Sequence, residues 1–387
     1  MYSLTRQQLY LIGVLLLTII SLYYALPRRN KLETPSRKAP ISRSRPLFEQ
    51  RLVAVGDLHG DLDNAKKVLH MAGIVSSTSN PAWSAGSTIL VQTGDIVDRG
   101  TYAWEIYRLM QSLRSEAAGQ GGKVVSILGN HEVMNAIGDW RYVTHDEIRH
   151  NGGTEQRMKD LADDGWLGRE WLANYSSTAL VALSPYPSAP LLSFTHGSLR
   201  PSYPNLVPYP EKINSLGHSL LSKALRAQVP PHPPHPYQGI PHDSTAEEAE
   251  LYAGGGPFWW RGLAEMADEA TVCKWAEDLK KKTGARRFIG GHTPDFEKIV
   301  HRCNASVIII DTGISRAYGG VLSALEILYT LHSPQTTPPD HRQDPFMAET
   351  TVAQPIPGNR YVEREEIHAI YPTGRKLIAV EEREITL

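Results

Sequence analysis

The chain has 387 residues, 41% of them apolar and 21% charged, with a formal net charge of −1. That length suits one large α/β domain with an ample core, and the charge balance excludes a general nucleic-acid-binding surface. Two cysteines, Cys273 and Cys303, exclude a disulfide scaffold and a cysteine-rich zinc site and allow one internal bond at most, whereas fifteen histidines point toward metal chemistry.

In chain order, Leu9 to Leu26 is uncharged and rich in Leu, Ile and Tyr, a length at the lower edge of a bilayer-spanning helix. Tyr23 and Tyr24 fall where an interface would lie, and Arg28, Arg29 and Lys31 close the segment. A cleaved signal peptide competes with an anchor, but Tyr23 at the minus-three position before Ala25 makes a poor cleavage site. Residues 1–26 are therefore expected to be an N-terminal membrane anchor of a single-pass protein of the endoplasmic reticulum or secretory pathway. Orientation stays open. Cations after the span favour a cytosol-facing domain, whereas the acceptor patterns Asn174-Tyr175-Ser176 and Asn304-Ala305-Ser306 lean toward the lumen. Residues 27–50 are Arg-, Lys-, Ser- and Pro-rich and read as a basic flexible linker.

The globular domain is expected over residues 51–387. Short apolar runs at Leu52–Val55, Thr88–Val91 and Val124–Leu128 read as buried strands. Each ends in a polar block: Gly56-Asp57-Leu58-His59-Gly60, Gly94-Asp95-Ile96-Val97-Asp98-Arg99-Gly100, and Gly129-Asn130-His131-Glu132. Helical patterns over Asp61–Met71 and Tyr102–Leu113 separate them, which makes a βαβαβ unit. Ala179–Leu183 and Leu191–Thr195 read as strands of a second sheet packed on the first, the latter ending at His196. Pro201 to Gly256 is expected to be an irregular lid or substrate-facing loop, its His232 and His235 solvated between prolines. Thr271 to Lys282 reads as an amphipathic helix stopped at Gly284. Strands at Arg287–Gly290 and Val307–Ile310 then deliver His292 and Asp311. A polar, Pro-rich excursion spans 332–359, and Val362–Tyr371 with Lys376–Thr386 forms a closing hairpin.

Asp57 and His59 are two residues apart, so an extended backbone would point both to one side and onto one ion. Asp95, Asn130, His196 and His292 complete a donor set from other strand ends, and a carboxylate can bridge two ions. Mixed oxygen and imidazole donors suit manganese, then iron or zinc, rather than calcium. Two such ions would hold a hydroxide nucleophile and neutralise phosphoryl oxygens. His131, next to Asn130, is placed to protonate a leaving oxygen, Asp98 to hold its other nitrogen, and Arg99 to grip phosphate.

The three blocks resemble the signatures of the phosphoprotein-phosphatase branch of the calcineurin-like metallophosphoesterases. Asp311-Thr312-Gly313-Ile314-Ser315-Arg316-Ala317-Tyr318-Gly319-Gly320 and Gly256-Pro257-Phe258-Trp259-Trp260-Arg261-Gly262 resemble the Shewanella-like protein phosphatases in particular. The resemblance implies an α/β sandwich of two mixed sheets flanked by helices and a metal-dependent phosphatase acting on phosphoproteins or phosphopeptides. It implies a first ion at Asp57, His59 and Asp95, and a second at Asp95, Asn130, His196 and His292. His131 would be the acid, Asp98 its partner, and Arg99, Arg261 and Asn130 the substrate contacts. No regulatory subunit is implied, because the carboxy-terminal Ser-Ala-Pro-Asn-Tyr stretch of the eukaryotic Ser/Thr phosphatases is absent. Hydrolysis of dinucleotide polyphosphates is the nearest alternative, although related hydrolases tend to carry Asn where Asp98 stands. A metal-free scaffold is a third reading, opposed by the full set of donors.

Overall fold

The computed structural model describes residues 46–333, 355–356 and 358–387. The apolar runs form two mixed sheets. In chain order the strands are β1 (Phe48–Val55), β2 (Ile89–Gln92), β3 (Lys123–Ile127), β4 (Tyr175–Ser176), β5 (Thr178–Ala182) and β6 (Leu191–Thr195). They continue with β7 (Arg287–Gly290), β8 (Val300–Arg302), β9 (Val307–Ile309), β10 (Ala324–His332), β11 (Arg360–Tyr371) and β12 (Gly374–Thr386). The larger sheet has the order β12-β11-β10-β1-β2-β3-β4 and the smaller β5-β6-β7-β9-β8. β1, β2, β3 and β4 pair in parallel, as do β6, β7 and β9, while β5, β8, β10, β11 and β12 pair antiparallel with their neighbours.

Alternation decides which face is buried where. Leu52, Ala54, Val91 and Ile127 of the larger sheet meet Phe194, Ile289 and Ile308 of the smaller one in a dry layer between the sheets. The opposite face of the larger sheet, with Val53, Val55 and Leu90, is covered by helices. Each fully buried aliphatic or aromatic side chain contributes about 1.5–3 kcal/mol, so the layers are held chiefly by apolar burial. Helix Leu62–Met71 starts at Asp61, whose carboxylate accepts the Asn64 amide, and it buries Ala65, Val68 and Leu69. Helix Ala103–Ala118 buries Trp104, Ile106, Tyr107, Met110 and Leu113, the stripe its spacing predicts.

Several expectations are corrected. β1 begins at Phe48, inside the segment read as linker, because its first residues pair with β10 from Phe48↔Leu331 onward. Pro201 to Gly256 is not an irregular loop throughout. It holds helix Glu211–Ala227, which buries Ile213, Leu216, Leu220, Leu221, Ala224 and Leu225, and the shorter helix Ala246–Tyr252. Flanking prolines hid that periodicity. Cys273 and Cys303 are disulfide-bonded, tying helix Glu269–Thr283 to the β8–β9 turn. No helix among the described residues is long and apolar enough to cross a membrane. The anchor expected at 1–26, the linker up to residue 45 and residues 334–354 and 357 of the 332–359 excursion lie outside the described residues.

Candidate metal centre

Every polar block follows the carboxyl end of a parallel strand. β1 delivers Asp57 and His59, β2 Asp95, β3 Asn130, β6 His196, β7 His292 and β9 Asp311. Because the parallel strands share a direction, their ends gather at one rim of the sandwich. The turns that follow are tight. Among the described residues nine non-glycine positions have positive φ, and His59, Asp95, Asp98, Arg99 and His292 are five of them. Such conformations cost of order 1–3 kcal/mol each and persist only where surrounding structure enforces them. His59, at φ 41°, is therefore not extended from Asp57, and the alternation argument for that pair is corrected. A turn directs them instead. Backbones approach closely here: a Cβ on Gly60 would sit 2.6 Å from the carbonyl carbon of Gly100, and one on Gly129 2.0 Å from Asp95 Oδ1.

The histidine tautomers follow from their backbone partners. Nδ1 of His59 lies 2.9 Å from the Val97 carbonyl, Nδ1 of His196 2.9 Å from that of Thr93, and Nε2 of His292 3.2 Å from that of Trp259. A carbonyl only accepts, so those nitrogens carry the proton, and in the neutral rings the opposite nitrogen presents a lone pair to the site. His196 Nε2 lies 2.8 Å from Asn130 Oδ1, 3.1 Å from His292 Nδ1 and 3.3 Å from Asp95 Oδ2. His59 Nε2 lies 3.7 Å from the same Asp95 oxygen. Asp95 thus stands between two donor groups, one with His59 and His131 and one with His196 and His292. Acceptor atoms this close repel one another unless a cation lies among them, so the donor set fits divalent metal ions. Burial holds His59 down to about 4 and His292 down to about 2, each with help from a neighbouring histidine, which keeps both rings neutral as ligands require.

Carboxylates crowd the same rim. Asp57 accepts the His292 amide at 3.2 Å. Burial raises its pKa well above the usual range, and Asp311 and Asp95 raise it further. Asp311, itself buried, is raised to about 6 chiefly by burial. Sequence pattern alone does not mark it as a site residue, although it follows β9 just as the candidate donors follow their strands. Sequence pattern alone assigns Glu132 no role. Its carboxylate accepts the amides of Asp95 at 2.8 Å, Ile96 at 2.8 Å and Gly129 at 2.6 Å and the Tyr107 hydroxyl at 2.7 Å, binding the second and third blocks together.

Beside the donors, His131 Nδ1 lies 2.5 Å from Asp98 Oδ2, and Asn135 donates to the other Asp98 oxygen at 2.9 Å. Although burial lowers the His131 pKa, the carboxylates of Asp95 and Asp98 outweigh it and lift the ring to about 9. Its Nε2 is 3.7 Å from Asp95 Oδ2. Arg99 is half-buried, its guanidinium carbon 4.5 Å from the ring centre of Tyr142 and 4.9 Å from that of Tyr318. Arg261 donates from Nη1 to the His292 carbonyl and, at 3.1 Å, to Thr293 Oγ1. His232 and His235 stand apart in their loop, with His232 Nδ1 on the His235 carbonyl.

The profile of the calcineurin-like phosphoesterase family matches residues 50–296. A Schizosaccharomyces pombe protein described as uncharacterized is 37% identical over 71% of this chain and 76% of its own length. Shewanella-like protein phosphatase 2 of Arabidopsis thaliana is 29% identical over 76% of this chain and 79% of its own. Among solved structures, a cold-active protein-tyrosine phosphatase of a psychrophilic Shewanella species shares the fold at a TM-score of 0.58. That match has 20% identity and covers 85% of this chain and 80% of the other.

Proposed function

As a member of the calcineurin-like phosphoesterase family, the chain is a metal-dependent phosphoester hydrolase, and we propose that it dephosphorylates phosphoproteins with His131 as general acid. The observation that carries this reading is the buried His131–Asp98 pair standing directly beside the convergent donor set. Asp57, His59 and Asp95 would hold one divalent ion, and Asp95, Asn130, His196 and His292 a second, with manganese favoured over iron or zinc. When bound, the ions would neutralise phosphoryl charge and supply an activated water.

The chain's own residues do the rest. Asp98 accepts the Nδ1 proton of His131 and so fixes the ring with its second proton on Nε2. That proton passes to the leaving oxygen as the phosphorus–oxygen bond breaks. Arg99 and Arg261 would hold the non-bridging oxygens, the planar guanidinium suiting two oxygens at once, and Asn130 would contact the same group. A protein substrate is supported by the names of the Arabidopsis and Shewanella relatives, a protein phosphatase and a protein-tyrosine phosphatase. The test is metal analysis of the purified protein with turnover measured on phosphopeptides and on a dinucleotide polyphosphate. Full activity in a rigorously metal-free preparation, or strong preference for the dinucleotide, would overturn the proposal.

A further inference from the structure

Arg99 reaches the site under unusual constraints. It sits at φ 66°, its amide donates to the Tyr142 carbonyl at 3.0 Å, and its Nε is buried without a hydrogen-bond partner among the described residues. No carboxylate orients its side chain among the described residues; two aromatic rings do. Tyr142 and Tyr318 come from segments far apart in the chain, and each sits in a segment that is itself tied down. The Tyr142 segment is pinned through Trp140 N–H to the His232 carbonyl at 2.7 Å and His232 N–H to the Gly138 carbonyl at 2.8 Å. The Tyr318 loop is held by Arg316, which donates to both oxygens of Asp61 at 2.8 and 2.9 Å.

Resting on the reading of Arg99 as a phosphate contact, we propose that Tyr142 and Tyr318 are positioning residues that clamp the Arg99 guanidinium between them and thereby set affinity for the phosphoryl group. The physical argument is one of direction and competition. A carboxylate partner would occupy the donor N–H groups that phosphate needs, and its charge would repel the phosphate. Aromatic faces attract the cation through their quadrupole and leave its N–H groups available. The two rings also border the catalytic residues, Tyr142 with its centre 5.1 Å from that of His131 and Tyr318 5.3 Å from that of His59. The clamp therefore holds the cation against the rim where the phosphoryl group reacts.

The test is steady-state kinetics on an aryl phosphate, with inorganic phosphate as competitive inhibitor, in the full-length protein. Tyr142 is 39% exposed, so Tyr142→Leu removes the ring with little loss of core packing. Tyr142→Leu and Tyr318→Leu should each raise KM and the inhibition constant of phosphate about 3- to 30-fold, with a smaller change in kcat. Tyr142→Phe, which keeps the ring, should stay near the parent, and metal content should be unchanged throughout. In an Arg99→Ala background the Tyr142→Leu change should add nothing further, a non-additivity that a merely structural role would not produce. The clamp is refuted if Arg99→Ala weakens phosphate while the tyrosine variants are silent, or if Tyr142→Leu costs as much without Arg99 as with it. If Arg99→Ala itself leaves phosphate inhibition untouched, the assignment of Arg99 as a phosphate contact fails first.

Discussion

His131 and Asp98, on two different polar blocks, meet through a 2.5 Å contact between Nδ1 and Oδ2 with neither side chain open to solvent. The pairing fixes which nitrogen of His131 faces the reacting group, and it favours the protonated ring. His131→Asn should therefore keep the fold and the metals while the rate on an alkyl phosphate falls about 100- to 10,000-fold. Aryl phosphates, whose leaving groups depart without a proton, should lose less. Equal losses on both substrates would argue against the acid role, and metal loss would make His131 a ligand.

His292 is placed for the other task, because its Nε2 is taken by the Trp259 carbonyl and its Nδ1 faces His196. His292→Ala should lower the metal-to-protein ratio, read by elemental analysis, together with the rate. A variant that keeps the parent's metal content with a lost rate would remove His292 from the donor set.

Glu132 is expected to govern both stability and metal retention. Its carboxylate answers four backbone amides, those of Asp95, Ile96, Val97 and Gly129, and a tyrosine hydroxyl in a region closed to solvent. Glu132→Ala strands those donors, at a cost on the order of 3 kcal/mol or more. Chemical denaturation should show the loss, and the freed Asp95 turn should bind metal more weakly. An unchanged midpoint would contradict the bracing role.

A second carboxylate predicts a pH dependence of stability. Glu248 closes a capping box with Thr245 and pairs with Lys223 at 2.8 Å. Burial alone would raise its pKa, but hydrogen bonds from Lys223, Ser219 and the Thr245 amide hold it below its ordinary value of 4.5. A carboxyl depressed on folding stabilises above its unfolded pKa, and that stability is lost as pH falls through the folded value. Glu248→Gln should thus melt below the parent at pH 7, and the gap should shrink below about pH 4. A gap that does not vary with pH would show that the charge contributes nothing.

The amino terminus calls for a separate experiment. If residues 1–26 anchor the protein, the full chain resists alkaline carbonate extraction and a chain beginning at Pro46 is soluble. The cut belongs there and not at Arg51, since β1 starts at Phe48. Complete extraction of the full chain would end the anchor proposal, and glycosidase-sensitive mobility would place the domain in the lumen.

The strands and the residues that follow them were readable by inspection, because an apolar run with a polar block behind it is a local pattern. Each candidate donor lies within a few residues of its strand, so Asp57, His59, Asp95, Asn130, His196 and His292 can be proposed from the chain alone. Helix Glu211–Ala227 is hard to read for the converse reason: prolines at its borders mask a regular apolar stripe. Other features have no local signature. Asp311 beside Asp57, the carbonyls that choose each imidazole tautomer, and the two tyrosines around Arg99 join segments from distant parts of the chain. Their proximity comes from the order of strands, which sets β1 and β9 in different sheets yet opens both onto one rim. Burial pattern determines which strands form. Packing of one sheet on the other decides what their ends can touch.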